Sequence, residues 1–328
     1  MKRNILIILV VGGLLALAAA PGHPEESGYP NRQIEFIIPY EPGGSIDMMS
    51  RIFIEAIKDS LKVPVVPVNK PGAGGSIGLT YVANAKPDGY TLGFSSIGAL
   101  VVTPVFEPRL PYKRSDLTMI CKTISILHGL FVKADAPWQN LQELVDYARA
   151  NPGKLRAAVG GPTGAPALML EAFKMQAGGL NIISIPSKGG HSMATAILGG
   201  QVEICADPVA SEVNLLRAGR VRALAVSNKI PGFPQIPTFK EAGFAGVDLT
   251  GWGAAIAPRG LPKPIQDKVT AAFSSAVKNP ATIQLLRRES MEVDFASGEA
   301  FHRQLEREDK MVMEIAKKIG SVKKGEKR

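Results

Sequence analysis

A strand, a glycine loop and an amphipathic helix follow one another early in the chain, and this order constrains the fold more than any other feature. The apolar run over residues 34–38 is typical of a strand that is buried on both faces of an α/β sheet. The loop PYEPGG ends this run, and we expect Ser45 to cap a helix over residues 45–61. Backbone N–H groups and the positive end of a helix dipole attract an anion at such a junction. Gly43 and Gly44 allow a ligand to approach closely, although a plain tight turn explains them equally well.

The same unit recurs in the first third of the chain. A predicted strand over residues 63–68 precedes the glycine loop NKPGAGGSIG and a short helix. A third strand, over residues 90–94, ends in Ser95 and Ser96. Repeated strand-helix units predict a mostly parallel sheet, whose ligands lie beyond the carboxyl ends of its strands.

Three more strand-to-helix loops lie further along the chain. Predicted strands over residues 155–159, 182–185 and 202–206 lead into the loops GGPTG, PSKGGH and DP, each followed by a helical pattern. Helix N-termini that follow strands in this way again point toward one edge of a sheet. We therefore expect these loops to form the second wall of a cleft.

Polar side chains at these junctions have both a functional and a structural interpretation. Asp47 is more consistent with capping its own helix, whereas Asp207 is better placed to contact a ligand. Lys188 either pairs with a carboxylate or projects into solvent. Tyr40 either closes over a ligand or packs against its own loop.

Several classes of function are excluded by missing patterns. A dinucleotide fingerprint that uses Gly72 and Gly74 needs a third small residue where Ile77 stands, and no Walker pattern follows the loop. The formal charge of +9 is not arranged as basic and aromatic groups on one face, so no nucleic-acid partner is expected. No HExxH or paired Cys/His spacing predicts a metal, and no cofactor is expected.

An enzyme remains as an alternative, in the form of a small-molecule hydrolase that uses Ser187 and His191. No GxSxG elbow places a serine on a sharp turn, and no third acid stands where it could orient the histidine. We therefore expect binding without catalysis.

The first 22 residues have the layout of a secretory signal peptide. Lys2 and Arg3 precede an apolar block that ends in small residues, and this block is short for a membrane span. The sequence predicts export but leaves the cleavage site open between the alanines at 18–20 and Gly22. The two cysteines, Cys121 and Cys205, lie in apolar runs and are interpreted as buried free thiols, since their spacing gives no evidence of a disulfide.

Six motifs in one order carry a resemblance to a known family. They are PYEPGGSID, NKPGAGGSIG, KPDGYTLG, PSKGGHSMATAILGGQVE, GRVRALAVS followed by IPTFKEAG, and GWGAAIAP. In this order the chain closely resembles the periplasmic solute-binding proteins of the tripartite tricarboxylate transporter, the Bug or TctC-type family. The resemblance extends from about residue 29 to residue 319.

The resemblance implies a type II periplasmic-binding-protein fold, in which two α/β domains enclose a ligand cleft. By the family layout, domain 1 comprises residues 29–128 and 254–328, and domain 2 comprises residues 129–253. The implied ligand is a small carboxylate, either an organic acid or an amino acid, and the implied partners are the permease subunits of the transporter. A monomer is expected. A sensor system that uses the same binding fold is the alternative to transport.

The resemblance also implies the residues of the site, without an arginine clamp on the ligand. The first wall is expected to comprise Tyr40, Gly43, Gly44, Ser45, Asp47, Ala73, Gly74, Gly75, Ser76, Ser95 and Ser96. The second wall is expected to comprise Thr163, Gly164, Ser187, Lys188, Gly189 and Asp207. Two positions on the second wall depart from the common pattern, because Ser187 replaces a tyrosine and Ala167 replaces a histidine. These departures affect the end of the ligand that lies away from the first wall.

Overall fold

The structure is a computed structural model that describes residues 28–107, 109–160, 164–187, 190–247 and 250–318, and the side chains of 190, 191 and 318 are left out of that description. The predicted signal peptide lies outside the described residues. The strands are β1 (Ile34–Ile38), β2 (Val65–Asn69), β3 (Thr91–Ser96), β4 (Leu117–Ile126), β5 (His128–Lys133), β6 (Leu155–Val159), β7 (Ile182–Pro186), β8 (Ile204–Pro208), β9 (Val221–Val226), β10 (Gly251–Pro258) and β11 (Glu292–Ser297). The helices are α1 (Ser45–Leu61), α2 (Ser76–Ala83), α3 (Thr103–Phe106), α4 (Leu141–Ala150), α5 (Ala165–Gln176), α6 (Gly190–Leu198), α7 (Val209–Arg217), α8 (Lys263–Ala276), α9 (Pro280–Arg288) and α10 (Gly298–Lys318).

The described strands form two sheets, and both are mixed. The six-stranded sheet has the order β11-β4-β10-β3-β1-β2, and the five-stranded sheet has the order β7-β6-β8-β5-β9. β1 runs parallel to β2 and β3, and β6 runs parallel to β7 and β8. β10 and β5 enter their sheets antiparallel to both neighbours. Most strands of each sheet still run in one direction, because β9 runs with β6–β8 and β4 runs with β1–β3. The expectation of parallel pairing fails at β5, β10 and β11, where the strand-helix repeat is interrupted.

The chain passes from one sheet to the other at two places that lie side by side. β4 ends at Ile126 in the six-stranded sheet, and β5 begins at His128 in the five-stranded sheet. The return leads into β10, whose Gly251 pairs with Ile126 and whose Gly253 pairs with Ser96. Division of the chain into domains at 128/129 and 253/254 stays a prediction. The strand pairing assigns residues 251–253 to the six-stranded sheet.

The junction between β1 and α1 follows the sequence prediction except at the cap. Gly44, not Ser45, is the N-cap of α1, with φ −78° and ψ 165°. Ser45 is instead the first helical residue, so the expectation for Ser45 was wrong by one position. The helix ends at Leu61 as predicted, and the next residue, Lys62, adopts the left-handed conformation with φ 61°.

Two apolar clusters hold the six-stranded sheet between its helices. One cluster contains Phe36, Phe53, Phe94 and Phe273, whose ring centroids lie 5.0 to 6.3 Å apart. The other cluster starts at Ile37 on the opposite face of β1 and continues into the five-stranded sheet. Because neighbouring residues of β1 are buried in different clusters, the sheet is covered on both faces, as its continuous apolar sequence predicts.

Three elements of the fold were absent from the sequence prediction. β4 and β11 lie at one side of the six-stranded sheet, and a π-helical segment, Gly98–Val102, leads into α3. Within the described residues, no helix combines the length and the apolar character needed to cross a bilayer. Cys121 and Cys205 are buried and free, which confirms their interpretation as unpaired thiols.

Replacement of Phe94 by alanine tests the aromatic cluster. Phe94 contacts the rings of Phe36, Phe53 and Phe273, so Phe94→Ala removes partners on three sides. We expect the free energy of unfolding to fall by about 3–5 kcal/mol in a guanidinium titration. The control is Phe233→Ala, a partly buried ring at the margin of a different cluster, which should cost clearly less. Equal losses in the two variants would contradict a central role for Phe94.

Candidate functional site

A cavity of about 260 Å³ lies between the carboxyl ends of strands from the two sheets. That volume corresponds to roughly nine water molecules, which suits a small organic molecule better than a nucleotide. Its lining is shared by the two sheets. It consists of Tyr40, Glu41, Pro42, Gly43, Gly44, Ser45, Ile46, Ser96, Ile97, Ile126, His128, Gly160, Ala165, Pro166, Ser192, Asp207, Pro208, Ser211, Gly251 and Trp252.

Four helices begin at this cavity. α1 contributes Gly44 and its first two residues, and α5 contributes Ala165 and Pro166. α6 and α7 each contribute a serine from their first turns, Ser192 and Ser211. Among the described residues that line the cavity there is no lysine or arginine. The positive ends of helix dipoles, free backbone N–H groups and hydroxyls therefore replace a basic side chain as the source of positive potential.

The Tyr40 phenol links the loop after β1 to the end of β3, through Ser96, and to the second glycine loop. The phenol oxygen of Tyr40 lies 2.7 Å from Oγ of Ser96, and it also donates to the carbonyl of Gly74 at 3.5 Å. Burial raises the pKa of the Tyr40 phenol, so Tyr40 stays a neutral donor at physiological pH. Ser95, the neighbour of Ser96 on β3, is buried and does not line the cavity. Strand alternation turns these two serines to opposite faces of the sheet.

Asp47 holds the first wall from behind and is not a lining residue. Its carboxylate accepts hydrogen bonds from the Gly43 N–H at 3.0 Å, Arg51 Nε at 3.0 Å and Asn69 Nδ2 at 2.8 Å. Although burial opposes ionisation, the bonds from Arg51, Asn69 and Gly43 hold the pKa of Asp47 below its usual value. Asp47 therefore fixes the loop that carries Gly43. The expectation that Asp47 caps its own helix is wrong, because its backbone bond goes to the preceding loop and α1 has no side-chain cap.

The second glycine loop lines an adjacent cavity of about 440 Å³ together with Tyr40 and Gly164. Ala73, Gly74 and Ser76 lie on this second cavity. Gly75 has φ +98°, and a Cβ placed there would lie 3.1 Å from the Tyr40 hydroxyl. A glycine at this position is therefore required both by its backbone conformation and by the close approach of Tyr40.

Predicted residues of the second wall are found in different places. Gly164 is the N-cap of α5, and a Cβ there would lie 2.9 Å from the Gly160 carbonyl oxygen. Ser187 donates its backbone N–H to the Val159 carbonyl at 2.8 Å and lines neither cavity. Asp207 lines the smaller cavity. Thr163, Lys188 and Gly189 lie outside the described residues, as does the side chain of His191.

Asp207 is one member of a buried acidic cluster. Donor atoms of Cys205, Asp207 and Glu212 lie within 4.8 Å of one another. Oδ2 of Asp207 and Oε2 of Glu212 are buried and have no hydrogen-bond partner. Burial, and then the neighbouring Glu212, raise the pKa of Asp207 well above its usual value, and burial raises the pKa of Glu212 to about 7. Burial also raises the pKa of the Cys205 thiol, and a protonated thiol is a poor metal ligand. The cluster thus favours proton sharing over metal binding.

Sequence reasoning missed the part of the cavity that the crossing strands supply. Ile126, His128, Gly251 and Trp252 lie where the chain passes between the sheets. Trp252 is 1% exposed, and its Nε1 donates to the carboxylate of Glu308 on α10 at 2.9 Å. The motif GWGAAIAP contains Trp252, and a large ring between two glycines in an extended run is the signal that could have indicated it.

Two α/β sheets, a small cavity between their carboxyl ends and helix N-termini around it define a solute-binding protein of the periplasmic-binding-protein fold. The profile of the tripartite tricarboxylate transporter family receptor matches residues 49–321. The chain belongs to this family, which confirms the resemblance drawn from the six motifs. The protein BugT of Bordetella pertussis is 31% identical over 282 residues, with 85% of this chain and 86% of BugT covered.

Solved structures of relatives show the same fold over nearly the whole chain. The periplasmic binding protein BugD superposes with a TM-score of 0.83 and 29% identity, covering 90% of this chain and 100% of BugD. A Rhodopseudomonas palustris protein, Rpa4515, solved with adipate, superposes with a TM-score of 0.85 and 27% identity. That match covers 89% of this chain and 98% of the relative.

The acidic cluster predicts an unusual dependence of stability on pH. A carboxyl whose pKa is raised in the folded state binds a proton between its unfolded and folded pKa values, so stability falls as pH rises from about 4.5 to about 7. Glu212→Gln removes this effect. We expect the free energy of unfolding of this variant to exceed that of the wild type by about 1–3 kcal/mol at pH 8 and by little at pH 4.5, measured by guanidinium unfolding.

The matched control for this prediction has the opposite sign. Glu203 pairs with Arg156 Nη2 at 2.6 Å. Burial by itself would raise the pKa of Glu203, but the hydrogen bonds from Arg156 outweigh burial and lower it. Stability from Glu203 is present above its unfolded pKa and is lost as pH falls, so Glu203→Gln should destabilise the protein at pH 8 more than at pH 4.5. Parallel pH profiles for the two variants would contradict the assignment of Glu212 as a buried, proton-holding group.

Proposed function

We propose that the protein is exported and captures a small carboxylate in the cavity between its two sheets, without chemical change, for delivery to the membrane subunits of a tripartite tricarboxylate-type transporter. The observation that carries this proposal is the convergence of four helix N-termini on one cavity, whose described lining residues include no basic side chain. Such a surface stabilises a compact anion through directional hydrogen bonds. The adipate held by the relative Rpa4515 is a ligand of that chemistry.

The geometry suggests how each wall serves in binding. Gly44, Ser45 and Ile46 present the N-terminus of α1, and Ser96 and Tyr40 add hydroxyls beside it. Hydrogen bonds to a charged group contribute about 1.5–3 kcal/mol each, so a few of them account for micromolar affinity. The second wall contributes the N-terminus of α5 and Asp207. A ligand that touches both walls binds the closed arrangement more tightly than an open one, and this difference is the signal that a membrane partner can recognise.

Close approach of the two walls supports closure around the cavity. A Cβ built on Gly98, two residues after β3, would lie 3.7 Å from the Ala165 backbone nitrogen and 3.9 Å from the Gly164 Cα. Gly98 belongs to the helical segment that follows the six-stranded sheet, whereas Ala165 begins α5 on the five-stranded sheet. The walls therefore meet without a side chain between them at this point.

Thermal unfolding in the presence of candidate ligands tests the function. The panel contains malate, adipate, citrate, benzoate and several amino acids, with chloride at equal ionic strength as the control. A ligand at a hundredfold excess over its Kd should add about 2.7 kcal/mol of stability. We expect one acid class to shift the Tm and to be recovered unchanged. No shift with any acid, or a consumed ligand, would contradict capture without catalysis.

Replacement of Gly164 by valine tests the role of the second wall. The added Cβ would lie 2.9 Å from the Gly160 carbonyl oxygen, and backbone must move to admit it. We expect the affinity for the identified acid to fall at least tenfold by calorimetry, because the N-terminus of α5 is displaced. The control is Gly28→Val, whose Cβ meets only Asn31 Nδ2 at 3.7 Å and whose affinity should match the wild type. Unchanged affinity in a folded Gly164→Val protein would exclude this helix end from the site.

A further inference from the structure

The pair formed by Asp207 and Glu212 has a placement that simple ligand capture leaves unexplained. Asp207, at the carboxyl end of β8, lines the cavity and is 3% exposed. Glu212, one turn into α7, is fully buried and does not line the cavity. A carboxylate that faces an anionic ligand repels it, so Asp207 weakens the proposed function unless it carries a proton.

The described groups that face the pair do not supply a compensating positive charge. Behind Asp207 lie the Glu212 carboxyl and the Cys205 thiol, and Cys205 Sγ donates to Glu212 Oε1 at 3.8 Å. Besides Asp207, the described titratable residues that line the cavity are Tyr40, Glu41 and His128. Neither acid of the pair forms an ion pair with a described residue. Of these surrounding groups, His128 is the one that can become a cation at mildly acidic pH, so it requires its own control.

Two carboxyl groups in contact and removed from water do not both ionise at neutral pH. Desolvation and mutual repulsion favour a proton on the pair, which then titrates as one unit. Ser211 and Cys205 each offer the pair one hydrogen bond, but one buried oxygen on each acid, Oδ2 of Asp207 and Oε2 of Glu212, has no partner among the described residues. A proton, taken from solvent, supplies the missing donor.

We propose that the Asp207–Glu212 pair is a proton-holding subsite that selects ligands with a second carboxylate, and that such a ligand binds together with a proton. This inference rests on the proposed function and deepens it. The proton comes from solvent and remains on the pair or on the bound carboxylate, and no covalent bond between heavy atoms forms or breaks. Glu212 is a positioning residue in this scheme, since it acts on the ligand through Asp207.

The scheme makes the two ends of the ligand unequal. One carboxylate meets the N-terminus of α1, where the backbone supplies donors at any pH. The other meets Asp207, which is a hydrogen-bond donor when protonated and a repelling charge when ionised. A monocarboxylate of the same length gains the first interaction alone. Selectivity for a dicarboxylate should therefore be largest at low pH and decline as pH rises.

Calorimetry with adipate and hexanoate from pH 5.5 to pH 8.5 tests the proposal, with malate and butanoate as a shorter pair. Titrations in buffers of different ionisation enthalpy count the protons taken up per ligand. For the dicarboxylate we expect proton uptake that approaches one per ligand above about pH 7, with a Kd that rises up to about tenfold per pH unit. For the monocarboxylate we expect no proton uptake. Dicarboxylate binding without proton uptake would overturn the subsite and leave solute capture standing. If adipate and malate fail to bind while another acid of the thermal panel binds, the subsite is overturned and solute capture stands. Failure of every acid of that panel would overturn both proposals.

Variants separate the pair from its surroundings. Asp207→Asn places a permanent N–H donor at the cavity, so its dicarboxylate affinity should lose its pH dependence while remaining measurable at pH 8. In Glu212→Gln the Asp207 carboxyl loses its acidic neighbour, and the rise in Kd should move to lower pH. His128→Gln should keep the wild-type pH slope, whatever its effect on affinity. A slope that persists in Asp207→Asn, vanishes in His128→Gln, or disappears after chelator treatment would overturn the proposal.

Discussion

The antiparallel pairing of β10 with β4 is the constraint on which the rest of the molecule depends. These two strands are the segments that connect the sheets, and they pair from Gly251 with Ile126 to Pro258 with Leu117. Because both connections run side by side, the two sheets meet along one line, and the carboxyl ends of their parallel strands face each other. The cavity lies where that line passes between the walls, and its back is made from the crossing strands themselves.

The proposed recognition by helix ends follows from this arrangement and from the lack of a basic side chain among the described lining residues. An arginine clamp would bring its own charge, flexibility and hydration into a small space, whereas backbone N–H groups are already fixed by the helices that carry them. The anchoring groups are in turn held by second partners. Asp47 fixes the Gly43 loop, and Ser96 fixes the Tyr40 phenol. In the proposed binding, groups held in place in this way lower the entropy lost when a ligand binds.

The sequence predicted the parts of the fold that depend on local signals. The apolar run of β1, the glycine loop and the start of α1 were correct to within one residue, because strand burial and helix capping act over a few positions. The Asn140 cap of α4, whose side chain accepts from the Glu143 N–H at 3.0 Å, is an interaction of the same short range. By contrast, β4 and β11 have no distinctive local pattern and are defined by partners more than a hundred residues away. Glu212 was missed because an acid in the first turn of a helix is common at exposed positions, and the sequence does not reveal that this one is buried.

The position of Trp252 gives the molecule a built-in optical reporter. The chain has two tryptophans, and Trp252 alone of the pair lines the cavity, with its indole N–H held by Glu308. Trp138 packs edge-on against Tyr147 at 5.2 Å, away from the cavity lining. Indole emission responds to the polarity around the ring, so replacement of cavity water by a solute changes the signal from one ring and leaves the other as an internal reference. Occupancy of the site can thus be followed in the unlabelled protein, in real time, by its own fluorescence.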